Sequence, residues 1–226
     1  MAPRQALMAQ TPHLYIPRPW EGDTLGLDDT QRHHLFRVLR LDTEGPVTYT
    51  DGAGTFGEGR LTESGIARGT EHEVDRHAYL SVAVAPPASR SRCRFLVEKL
   101  AELGAARLMW ITTRRSEGRP PPWDKARAWV VAALEQSRGA WLMEMGFSSL
   151  RELDPERVIV ADPAGAPGSI PPGSVVVVGP EGGFEQGEIP DDWGRVSLGP
   201  NILRVETAAI AAGVLATVRR GEHTHG

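Results

Sequence analysis

VVVVGPEGGFEQGEI, Val175 to Ile189, is the stretch from which the fold can be read. Four consecutive valines form a continuous apolar run, the composition of a strand covered on both faces, as in a parallel sheet. The run stops at Gly179, and Pro180-Glu181-Gly182-Gly183 makes a sharp turn with a bare backbone. Such a turn lets a ligand approach main-chain amides and carbonyls closely. Neither GxGxxG nor a Gly-Lys-Ser/Thr phosphate loop occurs in the chain. A nucleoside contacted edge-on therefore suits this turn better than a pyrophosphate or a triphosphate. Taken alone, a structural strand-to-helix turn would account for the same glycines.

A second segment follows closely: VSLGPNILRVETAAIAAG, Val196 to Gly213. Strand, glycine-containing loop and helix succeed one another with almost no linker. Glu206 falls in the first helical turn, where the macrodipole favours an anion, and that alone would be a sufficient reason for it. Arg204 at the loop exit and the glycine before it shift the balance toward a functional site. Beyond Thr207 the helix is built of Ala, Ile and Gly, which permit close packing against a helix or strand.

Working outward, the C-terminal two thirds alternate strands and helices. Tyr79–Ala85 reads as a buried strand, Arg92–Leu103 as an amphipathic helix closed by Gly104, and Arg107–Thr112 as a second strand. Asp124 caps a helix running to about Ser137, and Val158–Ala161 and Val196–Leu198 are further short apolar runs. A final helix is expected over Val205–Arg220. This alternation implies βαβ units and an α/β fold with a parallel sheet. The first part differs. Asp28 and Asp29 can cap a helix through Leu39 with Leu35, Val38 and Leu39 as its apolar stripe. Val47–Thr50 and Thr55–Leu61 pair as a hairpin around the turn Asp51–Gly54, a pattern that suits a small β-barrel. Residues 64–78 lack core periodicity and mark the boundary, giving domains 1–75 and 76–226.

The totals bound the function. The net charge of −4 argues mildly against nucleic-acid binding, yet among 25 basic residues only Lys99 and Lys125 are lysines. The arginines cluster as Arg32, Arg37 and Arg40, as Arg90, Arg92 and Arg94, and as Arg114, Arg115 and Arg119. Their forked guanidinium groups suit phosphates and bases. A single cysteine, Cys93, excludes a disulfide framework and a Cys-based zinc cluster. No acidic-plus-histidine constellation suggests a metal site. The adjacent His33 and His34 are read as surface or packing residues, and His223 and His225 as part of a tail. No apolar run approaches the roughly 20 residues of a membrane span, and the N-terminus lacks a signal-peptide core. A soluble cytoplasmic protein is expected.

The pairing of GPEGGF with LGPNILRVETAA resembles the signature of the RsmE family of SPOUT-superfamily methyltransferases, which methylate N3 of a uridine in small-subunit ribosomal RNA. Arg94–Ser116, Ala133–Gly139 (ALEQSRG) and His33–Gly45 are similar to further family segments in the expected order, so the resemblance covers nearly the whole chain. It departs at Gly199-Pro200-Asn201, where the family carries an arginine, and at Arg138, which stands one residue early. The resemblance implies a trefoil-knotted SPOUT domain with a five- or six-stranded parallel sheet, preceded by a PUA-like RNA-binding β-barrel. It implies S-adenosylmethionine as cofactor, held by Thr112, Val178, Gly179, Pro180, Glu181, Gly182, Gly183, Leu198, Gly199, Asn201, Ile202 and Leu203. It implies a homodimer, with ribosomal RNA or the small ribosomal subunit as partner, bound through Arg4, Arg18, Arg32, Arg37, Arg40, Arg114 and Arg115. Arg204 is the candidate cation for a deprotonated uridine ring. Glu206 and Glu181 are candidates for proton acceptor or for orienting Arg204. Competing readings are a SPOUT enzyme acting on a ribose 2′-OH or another base, an RNA-binding assembly protein without activity, and a Rossmann-like nucleotide enzyme.

Overall fold

A computed structural model describes residues 11–76 and 80–218. Arg4, Tyr79, the last two residues expected in the final helix, His223 and His225 lie outside the described residues. Contacts divide the chain into two compact units: Met1–Arg76 with Leu134–Leu142, and His77–Ala133 with Met143–Gly226.

In the first unit, β1 (His13–Tyr15), β2 (Thr24–Leu25), β3 (Pro46–Thr50), β4 (Thr55–Leu61) and β5 (Ile66–Glu73) form a sheet in the order β1-β3-β4-β5-β2. β1 runs parallel to β3, and the remaining pairs are antiparallel. The β3–β4 hairpin forms where expected. Asp51 Oδ1 accepts from the Ala53 and Thr55 amides at 2.8 and 3.0 Å, while Gly52 and Gly54 take positive φ. Burial would raise the Asp51 pKa, but Arg18 and these two amides outweigh it and hold the carboxyl below its usual value. Tyr49, fully buried, lies across β4 and donates to Glu71 at 2.7 Å. A Cβ on Gly57 would come within 2.2 Å of its ring, so β4 must be bare there. β5 occupies the stretch expected to be a boundary. Of IARGTEHE only Ile66 is buried, which hides the strand from a periodicity search.

The helix of this unit, α1 (Asp29–Arg32), has the expected Asp28 cap, and it continues as a π-helix over His33–Val38. The wider winding breaks the expected stripe: Leu35 is buried, but Val38 and Leu39 are 58% and 45% exposed. The core gathers Leu14, Ile16, Leu25, Leu35, Val47, Tyr49, Leu61 and Ile66. His13 is buried beside it. Its Nε2 donates to the Gly139 carbonyl at 3.0 Å, and its Nδ1 lies 2.8 Å from the Thr48 hydroxyl. Burial is the main cause of a His13 pKa lowered to about 4.

The second unit is a six-stranded parallel sheet in the order β11-β9-β10-β6-β7-β8. Its strands are β6 (Ser81–Val84), β7 (Arg107–Ile111), β8 (Glu144–Ser148), β9 (Val158–Pro167), β10 (Val175–Val178) and β11 (Gly194–Ser197). The apolar runs Val82–Ala85 and Val176–Val178 are almost wholly buried, as a sheet covered on both faces requires. β8 is a strand that periodicity missed, because EMGFS is an edge segment without a fully buried residue. The helices are α2 (Arg90–Glu102), α3 (Trp123–Ser137) and α4 (Val205–Val218). Gly104 follows α2 at φ 71°, the expected left-handed cap. α2 packs on α4, and a Cβ on Gly213 would meet Leu103 at 2.9 Å, so the small residues of α4 serve close packing inside the unit. The chain runs from β6 outward through β7 to β8, then returns to the other side with β10 between β9 and β6. That reversal opens a crevice at the carboxyl ends of the strands.

Candidate active site

A cavity of about 620 Å³ lies at that crevice. Its walls come from the middle of β9 (Val160–Pro163), the turn after β10 and the loop after β11. Val178, Gly179, Pro180, Glu181, Gly183, Leu198, Gly199, Asn201, Ile202 and Leu203 all line it, so the two glycine-bearing bends share one space. Thr112 and Gly182 do not line it. Thr112 is an exposed residue just after β7, and the buried hydroxyl there belongs to Thr113, 2.8 Å from Ser116 Oγ.

The turn is held by its own backbone and by its neighbours. Gly183 takes φ 70°, and its amide donates to the Pro180 carbonyl at 2.9 Å. The Arg115 Nη1 donates to the Gly182 carbonyl at 3.0 Å. The Arg114 amide donates to Glu188 at 2.7 Å, and its guanidinium pairs with Glu185 at 3.2 Å. A Cβ at Gly183 or Gly199 would meet nothing within 4 Å, so the backbone faces open space there. Ile202 is 88% exposed, an aliphatic side chain with no cover of its own on the cavity wall.

Electrostatically the wall is acidic: Asp162, Glu181, Glu185 and Asp191 against Arg195. Arg195 Nη1 donates to Asp162 Oδ2 at 2.6 Å. The Ala164 amide and Arg195 hold the Asp162 carboxyl below its usual pKa. The middle of β9 is a wall that the sequence does not announce; ADPAG after the apolar run is the signal that could have found it.

Of the residues expected to do chemistry, Glu181 lines the cavity, whereas Arg204 and Glu206 stand beside it at the start of α4. Arg204 is exposed, and among the described residues no hydrogen bond or ion pair holds its guanidinium. Neither carboxylate pairs with Arg204; both face Arg92 of α2, which the sequence marks as part of an arginine cluster at the start of a helix and not as a site residue. Arg92 Nη1 donates to Glu181 Oε1 and lies 3.8 Å from Glu206 Oε2. Glu206 is only 7% exposed, and its Oε2 has no hydrogen-bond partner among the described residues. The Glu181 carboxylate holds the Arg92 proton more firmly than usual. Next to it, burial raises the Cys93 pKa.

The arginines expected to contact RNA are differently occupied. Arg18 is committed within its unit, to Asp51 at 2.7 Å, to Thr55 at 2.8 Å and over the Trp20 ring. Arg32 donates through both terminal nitrogens to the Glu63 carbonyl at 2.9 Å. Arg37 and Arg40 are exposed. Among the described residues no group of three His, Cys, Asp or Glu stands where it could hold a metal ion, and no helix is long and apolar enough to cross a membrane.

The structure resembles a probable rRNA-methyltransferase from Porphyromonas gingivalis, with a TM-score of 0.79 at 23% identity over 92% of this chain and 100% of that one. It also resembles a ribosomal RNA small subunit methyltransferase E from Neisseria gonorrhoeae bound to S-adenosyl methionine, with a TM-score of 0.75 at 22% identity over 90% and 95% of the two chains. In sequence, the ribosomal RNA small subunit methyltransferase E of Synechocystis sp. is 28% identical over 219 residues, 84% of this chain and 71% of the relative. The model of the RNA methyltransferase domain family matches residues 75–217, more than half of the chain and all of the cavity. The chain belongs to that RNA methyltransferase family.

Proposed function

We propose that this chain transfers a methyl group from S-adenosylmethionine to N3 of a uridine in small-subunit ribosomal RNA. The observation that carries the reading is the single cavity at the strand ends, walled by both glycine-bearing bends with Ile202 uncovered on its face. Its volume is that of a small-molecule site. Its acidic wall suits a ligand with two cationic centres, a sulfonium and an ammonium. The relatives named above supply the donor and the RNA class by analogy.

The donor, when bound, supplies an activated methyl group; the protein's task is alignment and proton handling. Backbone groups of Gly179–Glu181, Gly183 and Leu198–Leu203 would read the adenosine edge, and Ile202 and Leu203 would cover its face. Uridine N3 carries a proton and is a poor nucleophile until that proton leaves. Arg204, exposed and without an ionic partner among the described residues, stabilises the negative ring with its two flanking carbonyls. Glu181, on the cavity wall, accepts the proton.

Residues 1–75 are proposed as a PUA-like RNA-binding domain, in which Arg37 and Arg40 offer exposed guanidinium groups to phosphates, and residues 76–226 as the SPOUT domain. The insertion of β10 between β9 and β6 fits a C-terminal segment threaded as a trefoil knot. A homodimer is favoured by exposed Phe95 on α2 and exposed Val214 and Leu215 on α4. The cytoplasm, where the substrate is made, is the proposed compartment.

The test is mass spectrometry of nucleosides from small-subunit RNA of a strain lacking this protein, before and after incubation with the protein and S-adenosylmethionine. The expected product is 3-methyluridine; a 2′-O-methylated nucleoside or another methylated base would overturn the assignment. With donor saturating, Arg204→Ala should slow a single turnover by about 100-fold, the cost of losing one stabilising donor.

A further inference from the structure

We propose that Arg92 is a positioning residue for methyl transfer, acting through Glu181 and Glu206. The inference rests on the methyl-transfer reading above, though not on which base is modified.

Three elements meet at its guanidinium. Arg92 comes from the first turn of α2, Glu181 from the turn after β10, and Glu206 from the first turn of α4. Arg92 Nη1 donates to Glu181 and stands 3.8 Å from Glu206 Oε2. The turn and the loop leading into α4 are two of the walls of the cavity, so one cation ties the turn to the helix that follows the loop. Glu206 supplies an independent sign that this is a built arrangement. Its Oε2 is buried without a hydrogen bond among the described residues, and Arg92 is the cation the structure places against it. A buried carboxylate deprived of its cation is strongly unfavourable. The other charged or titratable group facing it from α2 is the Cys93 thiol, which is neutral and bonded to the Pro87 carbonyl at 3.3 Å. Without Arg92 the Glu206 carboxylate is left buried and uncompensated, and its movement toward water displaces the start of α4 relative to the turn. The Arg92 side chain is itself only partly buried, so its removal leaves no core cavity.

The experiment measures S-adenosylmethionine affinity by titration, single-turnover methylation of small-subunit RNA with donor saturating, and thermal unfolding. It compares wild type with Arg92→Lys, Arg92→Gln, Glu206→Gln and the double variant. Arg92→Gln is expected to lose at least tenfold in donor affinity and in rate and to unfold at a lower temperature, whereas the double variant, which leaves no buried charge, should unfold close to wild type. Arg92→Lys keeps the charge and should recover most of the affinity. In the double variant the losses should fall well short of multiplying, because an uncharged residue at 206 no longer needs the cation. The proposal is overturned if Arg92→Gln binds donor as wild type does, if the two losses multiply in full, or if Arg92→Lys is no better than Arg92→Gln. The rate assay counts methyl groups and is blind to the base carrying them, so failure here and failure of the uridine assignment are read separately.

Discussion

Replacing Ile202 with alanine should separate the cost of ligand binding from the cost of folding. The side chain is 88% exposed on the cavity wall, so the fold draws almost nothing from it, and its truncation should change stability by no more than about 0.5 kcal/mol. By contrast, truncating a wholly buried residue of α2 such as Leu100 should cost roughly 2–5 kcal/mol. If an adenine face covers Ile202, the three carbons lost on going to alanine are worth about 2.4 kcal/mol on complete burial. A flat ring covers one side of the chain, roughly half of that, or about 1.2 kcal/mol, which weakens binding about eightfold. Calorimetric titration with S-adenosylmethionine and thermal unfolding of the same two proteins make the comparison. An unchanged dissociation constant would refute the assignment of Ile202 to the donor. A large fall in the unfolding midpoint would refute the claim that the residue stands outside the core.

Acid should weaken the first unit through His13. Its folded pKa of about 4 lies below the ordinary 6.5, so between those values the unfolded chain binds a proton that the folded one refuses. The stability is complete above about pH 6.5 and falls as pH drops toward 4. Denaturant titration should register a loss of about 2 kcal/mol between pH 7 and pH 5, and His13→Gln should remove most of that slope; an equal slope in the variant would exclude His13 as its source. In β4, Gly57→Ala should cost several kcal/mol, because the added Cβ would lie 2.2 Å from the Tyr49 ring and must displace a fully buried side chain. Urea unfolding checks it, and a loss under about 1 kcal/mol would mean that the tyrosine moves freely.

Local chemistry made some elements legible and hid others. Val175–Val178 announces itself as a buried strand because four β-branched residues cannot serve a half-exposed surface, and the structure keeps those bounds. Gly104 and the Asp51 turn are likewise local devices whose residues state their own geometry. β5 and β8 expose most of their side chains, so their pairing partners, and not their own patterns, make them strands. The π-helix over His33–Val38 defeated a 3.6-residue count for the same reason: its winding is not written in the spacing of Leu35 and Val38. At the site, the two bends can be read as bends at strand ends, but their common cavity depends on β10 lying beside β9 in the sheet. Arg92 was invisible as a site residue because its carboxylate partners stand 89 residues away and farther along the chain. Arg18 shows the converse: its charge looks available in sequence and is spent on Asp51 and Thr55.

Hydrogen exchange of the main-chain amides, with and without S-adenosylmethionine, asks most directly whether the two bends hold the donor. Protection is expected over residues 178–187 and 198–205 together, with the first unit unchanged. Protection of only one bend, or of a surface away from both, would contradict the placement of the donor between them.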